Sequence, residues 1–190
     1  MTLPLILGFD TSAAHCAAAL VRGDTVLASV GEDMARGQAE RLMGLLEEVL
    51  SDQGVTWADL DALAVGTGPG NFTGIRIGVS AARGLALGLQ CPAYGVTGFE
   101  ARDALAPAGT SVAIPAPRDM VYIMEHAGPR LVPAGSIEQP APHPSPSDLA
   151  TAIARCAVRR WPETPPAPAP FYVRAPDAAP ARDAPPTILT

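Results

Sequence analysis

The sequence predicts an α/β protein, a lobe of mixed sheet and helices followed by a small proline-rich second lobe. Three observations carry that reading. The apolar run Leu63-Ala64-Val65 enters the glycine-rich stretch Gly66-Thr67-Gly68-Pro69-Gly70-Asn71-Phe72-Thr73-Gly74, and Val79 to Leu89 then runs on with no charge except Arg83, which makes a strand, turn and helix unit. Short apolar runs separated by turn residues precede it, at strand spacing. Behind it the composition changes, with 18 of the 21 prolines between positions 107 and 190.

In order, Leu3 to Phe9 is a first strand ending at Asp10-Thr11-Ser12. Cys16 to Val21 and Thr25 to Val30 are two more, joined at Arg22-Gly23-Asp24, where glycine marks a tight reversal; the three read as consecutive antiparallel strands. From Gln38 to Leu50 the pattern turns helical, with Ala39, Leu42, Met43, Leu46, Val49 and Leu50 repeating at three and four and Glu40, Glu47 and Glu48 pointing elsewhere. Gly54 stops this helix, Thr56 caps a short turn, and Ala62 to Val65 is the strand that enters the glycine loop. Thr73 is the expected N-cap of the next helix. Cys91 to Val96 then reads as a strand and Gly98 to Leu105 as a helix. Past residue 106, Val112 to Ile114 and Met120 to Met124 supply two short strands and Asp148 to Val158 a helix, in a loop-rich setting, because proline does not serve the interior of a sheet or helix. The expected organisation is an N-terminal lobe at 1–106, a second lobe at 107–175 and an extended tail at 176–190.

The helix after the glycine loop carries two ridges of small residues at spacing four, Gly74, Gly78, Ala82 and Ala86, and Ser80, Gly84 and Gly88. Larger apolar residues, Leu85 among them, fill the remainder. A helix that is apolar nearly all round is covered on more than one side. It is either a core helix between two layers of its own chain or a helix with one side open to a partner. The loop itself, with Gly68 and Gly70 beside the Asp10-Thr11 turn, can cradle an anion or nucleotide phosphate. It is not a Walker loop, since all 13 basic residues are arginine and the P-loop lysine does not exist.

Composition excludes other classes. The net charge is −6, and residues 1–103 hold 12 acids against 6 arginines, so the first lobe does not grip nucleic acid by itself. Apolar stretches break well before the ~20 residues of a membrane span, and Met1-Thr2-Leu3-Pro4 lacks the basic region of a secretory signal; a soluble, cytoplasmic protein is expected. Cys16, Cys91 and Cys156 are far apart and form no CxxC, which favours buried free thiols. His15, His126 and His143 are scattered and read as surface residues.

Ile6-Leu7-Gly8-Phe9-Asp10-Thr11-Ser12, Gln38-Ala-Glu-Arg-Leu42, the run Gly66 to Gly78 and Phe171-Tyr-Val-Arg-Ala-Pro-Asp177 together resemble the bacterial TsaB (YeaZ) family. The likeness covers about residues 3–106, with a weaker echo at 171–177. It implies an actin/Hsp70-like (ASKHA) fold of two α/β lobes and a part in making threonylcarbamoyladenosine beside the anticodon of tRNAs. In that role the chain is the non-catalytic partner of the related subunit TsaD, with the ATPase TsaE joining, tRNA meeting the complex and ATP handled by the partner subunits, so no cofactor is expected here. The resemblance also implies that the first two helices meet TsaD, which gives Ala39, Leu42, Met43, Leu46, Gly74, Gly78, Ala82 and Leu85 as interface candidates. The same surface is able to close into a homodimer when TsaD is absent. The metal-binding HxxxH pair of the catalytic relative falls on Gly98 and Arg102, neither of which ligates a metal. Two competing readings are an ATP-binding protein using Asp10, Thr11, Gly68 and Gly70, and a protease or chaperone-like factor, for which no Ser-His-Asp arrangement stands out.

Overall fold

The computed structural model describes residues 3–173; the tail expected at 176–190 lies outside them. A mixed five-stranded sheet is formed by β1 (Leu5–Asp10), β2 (His15–Arg22), β3 (Thr25–Asp33), β4 (Ala62–Gly66) and β5 (Ala93–Val96), in the order β3-β2-β1-β4-β5. The first three strands are antiparallel as expected, and β4 and β5 continue parallel to β1.

Strand alternation assigns the layers. Leu5, Leu7 and Phe9 of β1 and Cys16, Ala18 and Leu20 of β2 share a cluster with Leu42, Leu45, Leu46, Val49 and Leu50 of α1 (Gln38–Ser51) and Ala82 of α2 (Phe72–Leu89). Ile6, Val21, Ala62 and Ala64 join the other face. They pack with Tyr94, Val96 and with Leu149, Ala152 and Ile153 of α4 (Pro146–Arg160). Each buried leucine or isoleucine contributes ~1.5–3 kcal/mol.

The position of α4 corrects the expected lobe at 107–175. This helix leaves the proline-rich region and lies across β1, β2 and β3 of the first sheet. Its stripe Leu149, Ala150, Ile153, Ala154 and Ala157 is fully covered there, and the seat is made of small residues. Ala17 and Ala19 face Ala150, and a Cβ on Gly8 would stand 2.7 Å from the Ala154 Cβ.

What remains of the second region is a three-stranded antiparallel sheet of β6 (Ile114–Ala116), β7 (Met120–Glu125) and β8 (Gly128–Pro133), with α3 (Gly98–Asp103) beside it. The sequence reading found β7, set its neighbour two residues early at Val112 to Ile114 and missed β8, whose Pro129 and Pro133 argue against a strand. Both prolines, and Pro115 of β6, sit on edge strands, while central β7 has none. Phe99, Ile114 and Tyr122 form its small core, with Leu131 and Phe171 against them.

The chain then returns over the first sheet. Tyr94 donates its hydroxyl to the Glu163 carbonyl at 2.6 Å, and Phe171 N–H donates to the Thr67 carbonyl at 2.8 Å. Phe171 meets Phe99 edge-on at 6.3 Å and Tyr172 stacks on Phe72 at 4.9 Å. No described helix is long and apolar enough to cross a membrane.

Candidate functional site

The glycine loop closes on the turn after β1, and glycine at spacing four is what permits it. A Cβ at Gly66 would collide with the Asp10 Oδ1, at Gly70 with the Ser12 carbonyl, at Gly74 with the Thr11 carbonyl, and at Gly78 with the Thr11 hydroxyl at 2.8 Å. Four glycines at spacing four thus each accommodate one atom of Asp10-Thr11-Ser12. Hydrogen bonds fasten the same contact. The Thr11 hydroxyl donates to the Gly74 carbonyl at 2.7 Å, and Asn71 N–H donates to the Ser12 carbonyl at 2.6 Å. Gly68, at φ 94°, accepts from Gly98 N–H at 2.7 Å.

The cap of α2 is Asn71 rather than Thr73. The Asn71 Oδ1 accepts from Gly74 N–H at 2.8 Å, which matches the general preference for Asn at this position; Thr73 lies exposed in the first turn.

This geometry redistributes the anion candidates. Asp10 is 1% exposed, and its Oδ2 accepts from Ser12 N–H at 3.2 Å, the Ser12 hydroxyl at 2.9 Å and His15 Nε2 at 2.7 Å. The Thr11 hydroxyl is already given to the Gly74 carbonyl, and Gly68 is engaged through its own carbonyl. Gly70 alone of the four lines a cavity of about 350 Å³ that opens beside the turn.

The interface candidates divide as well. Leu42 and Leu46 are core residues against the sheet, and Gly74, Gly78 and Ala82 are spent on Thr11 and β4, so these five do not face outward. Apolar periodicity located the buried stripe of α1 but did not say which neighbour buries it. Ala39 and Met43 remain exposed and Leu85 partly so. The outward face of α2 is its second ridge. Ser80, Gly84 and Gly88 are exposed, a Cβ on either glycine meets nothing within 4 Å, and Leu87 between them is 82% exposed.

Of the residues read as surface histidines, His15 is buried and lines the cavity, whereas His143 is exposed, as expected, on the wall it shares with Arg102 and Tyr122. Nothing in their spacing marked them, because the segments that carry them meet only through tertiary packing. Among the described residues no three His, Cys, Asp or Glu side chains gather as a metal would require.

The chain's relatives agree on its kinship. A family model described as TsaD, tRNA N6-adenosine threonylcarbamoyltransferase, matches residues 28–134. An uncharacterized protein of Mycobacterium tuberculosis H37Rv is 32% identical over 205 residues, covering 92% of this chain and 94% of that protein. The tRNA threonylcarbamoyladenosine biosynthesis protein TsaB of Escherichia coli K12 is 41% identical over 92 residues, which is 48% of this chain and 39% of that one. The solved structure of YeaZ from Pseudomonas aeruginosa superposes with a TM-score of 0.66 at 27% identity, over 90% of this chain and 100% of that one. The first match takes in α1, the glycine loop and α2, the last covers nine-tenths of the chain, and on these grounds the chain belongs to the TsaB (YeaZ) family.

Proposed function

We propose that this chain is the non-catalytic partner of a TsaD-type subunit in the threonylcarbamoylation of tRNA, and that it docks through the outward face of α1 and α2. The observation that carries the reading is the second ridge of α2. Gly84 and Gly88 stand open beside Leu87, a face with small residues at helix spacing that the described residues leave uncovered, and Met43 of α1 is exposed as well. Small residues let a second helix approach closely. Relatives named for threonylcarbamoyladenosine biosynthesis supply the process, and relatives named tRNA N6-adenosine threonylcarbamoyltransferase supply the kind of partner.

In this reading the actin/Hsp70-like ancestry survives as a scaffold. The Asp10 carboxylate, at the turn where such a fold would hold phosphate and magnesium, is engaged by Ser12 and His15. Catalysis and ATP then belong to the partner and to a TsaE-type ATPase, tRNA meets the composite surface, and the assembly works in the cytoplasm. The free chain is able to pair with itself through the same face until the partner displaces it.

The test is threonylcarbamoyladenosine formation on tRNA in a reaction reconstituted from TsaD, TsaE and threonylcarbamoyl-adenylate, with and without this chain. Product that depends on the chain, none from the chain alone, and loss of both product and association on Leu87→Glu or Gly84→Leu are expected. Equal product without the chain would overturn the proposal.

A further inference from the structure

We infer that the free edge of β3 is where two copies of this chain join, strand to strand and antiparallel, so that their two five-stranded sheets become one. This surface is not the docking face of α1 and α2, and the inference does not rest on that reading.

Among the described residues the chain guards its other sheet edges and leaves this one bare. β3 and β5 border the large sheet, and β6 and β8 the small one. β6 has three residues with Pro115 at its centre, and β8 carries Pro129 and Pro133; proline on an edge removes the donors that a further strand would need. β5 has four residues, and the Arg160 guanidinium donates to its Gly95 carbonyl at 2.9 Å. The returning chain crowds the same place, where a Cβ on Gly95 would stand 3.5 Å from the Pro168 Cα. β3, by contrast, has nine residues, no proline and no lysine, and Thr25 to Gly31 is uncharged. Among the described residues its backbone pairs with β2 alone. α4 covers one face of it, since the Ser29 hydroxyl donates to the Ser147 carbonyl at 3.0 Å and a Cβ on Gly31 would stand 2.7 Å from the Pro146 Cβ. Ser29 and Gly31 are exposed all the same, so what lies open is the edge and not the face. The bulge beside Leu20 and Val21 twists only the turn end and leaves Ala28 to Asp33 in regular register.

Closure and charge identify the occupant. An extended segment lent by another protein would move the bare edge outward by one strand, whereas a second β3 across a two-fold axis closes both edges at once. The edge is also polar from end to end. Asp33 stands at one end with Asp148, in the first turn of α4, and Arg22 and Arg155 flank the other beside Asp24, whose carbonyl accepts from Arg155 at 3.1 Å. Glu32 is already held by Arg41 at 2.6 Å, while Asp33 makes no ion pair among the described residues. Antiparallel pairing lays each acidic end against the arginine end of the other copy.

The experiment combines sedimentation of the whole chain from about 1 µM to about 1 mM, the span from firm to weak pairing, with amide hydrogen exchange over Thr25–Asp33. Both are run on wild type and on Leu87→Glu, which disables the α2 face. A monomer–dimer equilibrium that survives Leu87→Glu is expected, with the β3 amides that β2 does not bind slowing as the dimer fills. Asp33→Arg and Arg22→Glu, both at exposed positions, should each weaken the dimer about threefold to tenfold without moving the melt, and the two together should restore it. A chain that stays monomeric at about 1 mM, a dimer lost on Leu87→Glu, or β3 amides whose exchange ignores concentration would overturn the inference. So would β3 amides that slow only when a TsaD-type subunit is added, which would give the edge to a different protein.

Discussion

Alanine at Gly74 and alanine at Gly84 should change stability in opposite directions, although both glycines lie in the same helix at helical φ. At Gly84 the new Cβ meets nothing within 4 Å, and only the intrinsic preference acts. Alanine is favoured over glycine in a helix interior by ~1 kcal/mol, which raises Tm by roughly 2–4 °C in a chain of this size. At Gly74 the same preference is outweighed. The Cβ runs into the Thr11 carbonyl, a backbone atom held by the turn, and the Thr11 hydroxyl bond to the Gly74 carbonyl must move with it. Overpacking costs ~1–3 kcal/mol, and a backbone obstacle puts this site at the upper end. The net loss is then about 2 kcal/mol, or roughly 4–8 °C in Tm. Thermal and urea unfolding of both variants, with equal m-values as the check on two-state behaviour, measures the pair. A Gly74→Ala chain as stable as wild type would refute the assignment of the first ridge to the Asp10 turn, and a destabilised Gly84→Ala would refute the open second ridge.

Moving the helix cap is tested by Asn71→Ala, expected to cost about 1 kcal/mol, against Thr73→Ala, expected within ±0.5 kcal/mol as an exposed substitution; equal losses in urea midpoint would return the cap to Thr73. Leu46→Ala, at 0% exposure, should cost about 2–5 kcal/mol whether or not a partner is present, whereas Met43→Glu should leave the melt of the free chain unchanged and weaken association in a pull-down. Burial, with Glu32 adding, raises the Cys16 thiol from 9.0 to about 11. Iodoacetamide at mildly alkaline pH should therefore label Cys16 in the unfolded chain and spare it in the folded one. The folded state disfavours the thiolate, so the stability linked to this group is whole below pH 9 and is lost as pH rises toward 11. The urea-midpoint advantage of wild type over Cys16→Ala should shrink across that window, and a constant advantage would exclude the linkage.

Sequence reasoning located β1 to β3, α1, the glycine loop and α2 because each is announced locally, by period-two or period-three-and-four apolar spacing or by glycine and turn residues. It missed β8, since Gly-Pro-Arg-Leu-Val-Pro reads as a breaker and becomes a strand only at an edge beside β7. It placed α4 with its sequence neighbours, whereas the small alanines of β2 and Gly8 of β1, far away in sequence, are what receive it. The cavity was illegible for the same reason. His15, Arg102 and His143 share a wall, but they sit on three separated segments and none belongs to a recognisable spacing.

The two ridges of α2 look alike in sequence and take different neighbours, and the reason lies in what each meets. Gly74 and Gly78 are followed by Ala82, which is 0% exposed, and all three lie on the side of α2 turned toward β1 and β4. Small residues there bring the helix down onto the turn until Thr11 bonds directly to its backbone. A partner that approaches α2 would then do so from Ser80, Gly84 and Gly88, with Leu87 among them. Closing the Asp10 turn and exposing the second ridge are thus two consequences of one packing choice. A substitution that loosened the first ridge would rotate or lift α2 and displace the docking face with it. Gly78→Leu would accordingly abolish partner binding by disturbing the fold, and Gly84→Leu by blocking the surface. Only the second variant should melt at or above the wild-type temperature.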